Sequence, residues 1–317
     1  MSYAQYGTIA ATDFNTLAGG NPTTTSGTLN AVWATGGSTA GYGQTALANV
    51  STGNTVAATS QWAALVSNTA SAATHQGTTI TAVSTPAAGG TITYLSAIPT
   101  NLTTIYTSRL NAASQGSTVA NTATYGSTWS AAITFTHTVT FANGDAARYF
   151  FNSGGQLKVT CSHPTGTGIN LLLNNLASNV GTVVMSSPST GAVTISGVSY
   201  NGVTKVGGGG NAPTVSTNSG YYARTTSNAT IFTQTASTGP SGYLSTNISM
   251  IAKSNGTQGT NGDTGSIITI YTVWDEVPDG LVASIGSATT VTVQAPETTN
   301  IANSWGTITV TGTVAGT

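Results

Sequence analysis

The chain has 317 residues, of which 4% are charged: six Lys+Arg against seven Asp+Glu, for a net charge of −1. Soluble domains typically carry roughly 25% charged residues, so phosphate-neutralising surfaces and acid–base chemistry are both starved of groups. Lys158, Lys205, Lys253, Arg109, Arg148 and Arg224 are too scattered for a nucleic-acid patch, and a 38% hydrophobic fraction at near-zero net charge argues against disorder.

The region 1–125 carries the helical signals. Met1–Tyr6 has no basic or apolar leader pattern, which leads to an expectation of synthesis in a host cytoplasm. Thr12-Asp13-Phe14-Asn15 opens a first short helix with a polar N-cap, and Leu29–Trp33 is a second candidate. Gly36 to Gln44 reads as a Gly-rich connector. Thr59–His75 is the clearest helix, with Trp62, Leu65 and Val66 at helical spacing and Gly77 just beyond. A fourth is expected from about Leu102 to Ala113.

From Trp129 the hydrophobic period changes to two. Ile133, Phe135, Val139 and Phe141 alternate with polar residues, and Asn143-Gly144-Asp145 supplies a turn signal. Strands are expected at Arg148–Phe151, Gln156–Cys161, Val180–Met185, Ala192–Val198, Ala229–Thr235, Ser245–Lys253, Ser266–Trp274, Thr289–Ala295 and Gly306–Val314. Gly207–Gly210 and Asn255–Gly265 read as loops. The expected fold is mainly β with a smaller helical N-terminal region, its β domain (126–317) an antiparallel sandwich or jelly-roll-like unit. The apolar runs Leu171–Leu173 and Ile267–Trp274 are too short to span a membrane.

Candidate chemistry is sparse. His75, His137 and His163 fall in unrelated contexts, and Cys161 has no companion for a disulfide or zinc site. Asp275, Glu276 and Asp279 form the sole carboxylate cluster, which reads first as a solvated turn. Asn255–Gly265 has one carboxylate, Asp263, where a calcium loop needs several. Gly207–Gly210 lacks the Lys-Ser/Thr of a phosphate loop. No catalytic residue, cofactor or metal site is expected. One group does look specified: Asp145, Arg148, Phe150, Phe151, Asn152, Gly154 and Gly155, a rare arginine beside a carboxylate, aromatics and a tight turn.

The stretch Phe141-Ala142-Asn143-Gly144-Asp145-Ala146-Ala147-Arg148-Tyr149-Phe150-Phe151-Asn152-Ser153-Gly154-Gly155-Gln156 resembles a signature of tailed-bacteriophage virion structural proteins of the tail and tail-fibre type. Thr12–Asn15, Gly41-Tyr42-Gly43-Gln44, the Trp62 to Gly77 helix and Val273–Asp279 resemble the same family in the same order. The segment Ile169–Thr182 departs from it, lacking a Trp before the leucines, and the C-terminal stretch extends beyond it. The resemblance implies a non-enzymatic virion component, a tail fibre or baseplate-associated protein acting in assembly and host attachment. A β-rich chain with so little charge is expected to self-associate, and the resemblance favours a trimer; other tail or baseplate proteins and a host surface glycan are the further partners expected. A capsid decoration or head-fibre protein and a tail-associated glycan-degrading enzyme are the alternatives. Neither nucleic acid nor membrane insertion is expected.

Overall fold

In the computed structural model, residues 10–85, 87, 96–216, 219–239, 241–276 and 281–316 are described. The N-terminal part holds α1 (Ala11–Ala18), α2 (Leu29–Val32), α3 (Ala63–Gln76) and α4 (Ala97–Thr107), with a turn of π-helix at Ala58–Trp62 leading into α3. Gly77, at φ 67°, ends α3, and the Thr78 N–H returns to the Ala73 carbonyl, the left-handed closure that glycine permits. Helix α4 starts earlier than the Leu102 expected. Pro99 lies in its first turn, where a missing N–H costs nothing.

Between α2 and α3 the chain joins no sheet among the described residues, and side-chain amides from the helices hold two of its peptide units. The Asn15 amide donates to the Val50 carbonyl (2.8 Å) and accepts from the Val50 N–H (2.7 Å). Asn30 brackets Leu47 in the same way (2.9 and 2.9 Å) and also donates to the Gly19 carbonyl at 3.0 Å. Asn101 brackets Thr81, and Gln44 brackets Ala302. Each amide presents one donor and one acceptor to a peptide, as a neighbouring strand would.

The remaining elements are β1 (Gln115–Thr124), β2 (Ala132–Thr140), α5 (Gly144–Asn152), β3 (Gln156–Ser162), α6 (Ile169–Val180), β4 (Thr182–Met185), β5 (Val193–Ile195), β6 (Val198–Tyr200), β7 (Val203–Val206), β8 (Thr214–Val215), β9 (Ala229–Thr235), β10 (Asn247–Ser254), β11 (Ile267–Asp275), β12 (Ala288–Pro296) and β13 (Thr309–Gly316). They make a five-stranded sheet in the order β1-β12-β3-β4-β7, a six-stranded sheet β13-β2-β11-β10-β9-β8, and the hairpin β5-β6, all antiparallel. None closes into a barrel. Strands β2, β10 and β11 bury every second residue, as their sequence alternation requires. Strand β1 lies beside β13, and α6 touches β3 of one sheet and β9 and β10 of the other.

The fold is therefore mixed, with more strand than helix, and helices occur throughout the chain. Arg148–Phe151, expected as a strand, is helical. Asn143-Gly144-Asp145 is a helix start, in which the Asn143 side chain accepts from the Ala146 N–H at 2.8 Å. Helix α6 was not anticipated, although Ile169, Leu172, Leu173, Leu176, Ala177 and Val180 bury one face at helical spacing. Val180, expected to begin a strand, ends this helix. The strand expected at Ala192–Val198 is broken by Ser196 and Gly197, whose φ of 50° and 77° turn β5 back into β6.

One continuous buried cluster runs from Phe14 and Trp62 through Phe150 and Phe151 to Trp274 and Trp305. No helix among the described residues is long and apolar enough to cross a membrane. The buried amides should be sensitive to charge at constant shape. Asn30→Asp turns a carboxylate oxygen toward the Gly19 and Leu47 carbonyls, and should cost about 3 kcal/mol or more in urea unfolding at neutral pH, exceeding Asn30→Ala.

Candidate functional site

Helix α5 holds the specified group at the joint of the molecule. Arg148 is fully buried. Its Nη2 and Nε donate to Asp145 Oδ1 one helical turn back (3.0 and 3.2 Å), and its Nη1 donates to the Ala40 carbonyl at 2.8 Å. The guanidinium carbon lies 4.8 Å from the Tyr149 ring centre. Asp145 also accepts the Gly262 N–H, tying the 255–265 loop to the same helix. Asn152 donates to the Gly41 carbonyl at 3.1 Å, and the Tyr222 hydroxyl lies 2.6 Å from Asn152 Oδ1 and 2.9 Å from the Ser38 carbonyl.

On the apolar side of α5, Phe150 and Phe151 meet edge to face at 5.0 Å. Phe151 stacks on Tyr221 at 4.2 Å, and Phe150 faces Phe141 and Trp305. Two glycines make this packing possible. A Cβ on Gly155 would enter the Phe150 ring at 2.5 Å, and one on Gly154 would strike Ala112 Cβ at 2.5 Å. Asp145 thus pairs with Arg148, Phe150 packs with Phe151 and Gly155, Arg148 and Asn152 reach the Gly-rich segment 36–44, and Gly154 faces Ala112 instead.

The 41–44 segment and the end of α3 meet close to α5. Gly43 packs on Tyr149, where a Cβ would come within 2.4 Å of the ring. The Tyr42 hydroxyl donates to the Arg109 carbonyl and accepts from Gln76 Nε2, both at 2.8 Å. Tyr42 also meets the His75 ring edge-on. His75 Nδ1 lies 2.7 Å from Glu297 Oε1, in a nearly fully buried pair 222 residues apart in sequence. Burial would raise the Glu297 carboxyl, but hydrogen bonds from His75, the Asn300 and Thr299 N–H groups and the Asn300 side chain outweigh it and hold the group at about 2.

A second constellation escaped sequence reading. His163 Nδ1 lies 2.8 Å from Ser287 Oγ, and His163 Nε2 lies 3.0 Å from Asn170 Oδ1. The Asn170 oxygen also accepts the Ser284 N–H, so it acts as the acceptor toward the ring as well. The ring then carries its proton on Nε2 and accepts the Ser287 hydroxyl at Nδ1, the order of a hydroxyl–imidazole–amide relay. Ser287 is fully buried, however, with the Trp129 indole N–H 3.2 Å from its oxygen. The relay staples the ends of β3, α6 and β12 to one another. Because Asn170 and Ser287 lie 7 and 124 residues from His163, no local motif announces it.

The other candidates are engaged or dispersed. His137 is buried in β2 against the Asn121 backbone and Gly312; burial lowers its pKa, which the Asn121 backbone partly offsets. Burial pushes the Cys161 thiol up to about 12, against a smaller lowering by Thr289, so it carries little thiolate at neutral pH. Asp263 accepts from the Gly259 and Thr260 N–H groups and the Thr260 hydroxyl, shaping its own loop. Asp275 is exposed at the end of β11, Glu276 is buried, and Asp279 lies outside the described residues. Among the described residues no three His, Cys, Asp or Glu side chains gather as a metal site. The Lys205 ammonium beside Gly207–Gly210 donates to the Gly209 carbonyl at 3.0 Å.

One groove opens on the N-terminal part and another between it and the 255–265 loop. The first, of about 320 Å³, is lined by apolar and threonine side chains of α3, the 78–83 segment and the start of α4, including Val66, Ile80, Val83 and Ile98. The other, of about 500 Å³, is lined by Thr23–Thr25, Gly36–Ser38 and Gly259–Asn261. Among the described residues no charged side chain lines either.

Two outcomes are expected. Arg148→Ala removes a buried guanidinium from the partly exposed Asp145 and from the Ala40 carbonyl, and should cost about 1–3 kcal/mol in chemical denaturation. Glu297 has a depressed carboxyl, so its stabilisation is present above the ordinary carboxylate range and is lost as pH falls from about 4.5 through about 2. Glu297→Gln should flatten the acid limb of the stability–pH curve over that interval.

No protein-family model matches the chain, and no curated protein or solved structure is significantly similar to it.

Proposed function

We propose that this chain is a non-enzymatic structural component of a phage virion, a tail fibre or baseplate-associated protein that works in assembly and host attachment. One observation carries the reading beyond the sequence resemblance: the scarce ionisable groups are spent on joining distant segments. Arg148 with Asp145, His75 with Glu297, Asp263 and His163 each take their partners from the protein itself and bind remote or returning chain. An enzyme concentrates such groups in an accessible cleft, and the two grooves are lined by none of them.

Within this reading the two large sheets are the facing layers of a sandwich-like unit, with α6 wedged where they diverge. Copies associate, as a threefold assembly in the family it resembles, and meet other tail or baseplate proteins in the virion. A host surface glycan is the ligand that a polar, hydroxyl-rich and uncharged exterior suits. The site of action is the virion tail, after synthesis in the host cytoplasm.

Mass spectrometry of purified particles, with antibody labelling seen by negative stain, tests the assignment. The protein should be found in particles and label tails; labelled capsids would move it to the head, and absence from particles would overturn the virion role. With so few charges, association should be almost unchanged between low and molar salt in sedimentation, since screening acts on charges alone.

A further inference from the structure

The two large sheets treat their opposite flanks differently. On one flank the edge strands are short: β7 has four residues and β8 two. The chain itself crosses from one to the other through 207–213, where Gln234 Nε2 fastens the Gly209 and Asn211 carbonyls at 2.7 and 3.0 Å. On the other flank β1 has ten residues and β13 eight, side by side, with no charge and no proline inside either. Every residue from Gly116 to Ala120 is exposed, so both faces of β1 meet solvent. No described strand pairs with the outer edge of β1 or β13.

Hydrogen-bond alternation identifies the free groups. The Tyr125 N–H donates to the Ser287 carbonyl at 2.8 Å, which in this register assigns the bonded positions to Val119, Asn121 and Ala123. Ala120, Thr122 and Thr124 therefore turn their N–H and C=O groups away from β12. Proteins that must remain monomeric guard such an edge with lysine, proline, a bulge or a covering element; here the only irregularity is at the start of β1, between Gln115 and Thr118.

We infer that the outer edge of β1 is an interface at which a second copy of this chain pairs antiparallel with the same strand. A free edge fits an extended backbone, and the lack of charge in Gln115–Thr124 gives an oppositely charged partner nothing to recognise. A copy of β1 has the same length and the same alternation of outward groups. About a twofold axis at Asn121, Ala120 lies opposite the partner's Thr122 and Thr118 opposite the partner's Thr124, with no like charges brought together. The inference rests on the self-association part of the proposed function and gives that association a surface. A twofold contact builds an even number of copies, so any threefold arrangement must use another surface in addition.

Sedimentation and amide hydrogen exchange on the full chain test this. The wild type should assemble with an even copy number, and the Ala120, Thr122 and Thr124 amides should exchange more slowly at assembling concentrations than on dilution. Ala120→Pro removes an outward N–H without touching the bonds to β12, and Ala120→Lys opposes like charges near the axis. Each should raise the dissociation constant at least about tenfold with an unchanged melting temperature of the monomer. An assembled wild type whose edge amides exchange freely, or folded variants that assemble unchanged, overturns the β1 surface alone. A wild type that is monomeric at micromolar concentration overturns both the surface and the self-association reading.

Discussion

Buried peptide groups must find partners, and this chain has to supply them almost without charge. That constraint shapes the molecule more than any single contact. Where strands are adjacent, the ladders of the two sheets suffice. Where they are not, the amides of Asn15, Asn30, Gln44 and Asn101 each take both groups of a distant residue and behave as one-residue strands. Asn15 and Asn30 hold the segment between α2 and α3 at Val50 and Leu47 in this way. An uncharged amide suits the role because it offers donor and acceptor together at a small desolvation cost, whereas a carboxylate or ammonium offers only one kind.

Against that neutral background the few charges become joints. Arg148 is the clearest, since its guanidinium can satisfy a carboxylate and a carbonyl at once in a planar fork. Seated on α5, it links the Gly-rich segment 36–44 and, through Asp145, the loop around Gly262. The pair His75–Glu297 does the same between the end of α3 and the chain leaving β12. Both joints tie the helical part to the sheets, which share one buried cluster.

The legible part of the fold was what local periodicity determines. Strands β2, β10 and β11 alternate cleanly, and α3 is bracketed by its apolar spacing and Gly77. Helix α5 misleads because Tyr149, Phe150 and Phe151 favour strands by propensity, while the deciding signal is the Asn143 cap and the face formed by Ala146, Ala147, Phe150 and Phe151. Helix α6 was written in its leucine spacing all along, between Gly168 and Gly181. At the site, Asp145 and Arg148 are visible as neighbours, but Ala40, Ser287 and Glu297 are not, because topology alone brings them to Arg148, His163 and His75.

The flank where β1 meets β13 shows how glycine sets a distance between layers. Gly312 lies in the middle of β13, where glycine ordinarily weakens a strand by leaving nothing to pack. A Cβ there would stand 2.3 Å from Asn121 Oδ1 and 2.8 Å from the His137 ring, and one on Gly316 would stand 2.3 Å from the Tyr125 hydroxyl. Both glycines let β13 come up against β1 and the imidazole buried beneath it. The imidazole is best neutral in this place, since burial disfavours its charged form. A larger residue at Gly312 would displace the Asn121 amide and press on the fixed His137 ring, so the imidazole beneath β13 sets the limit on what the strand can carry there.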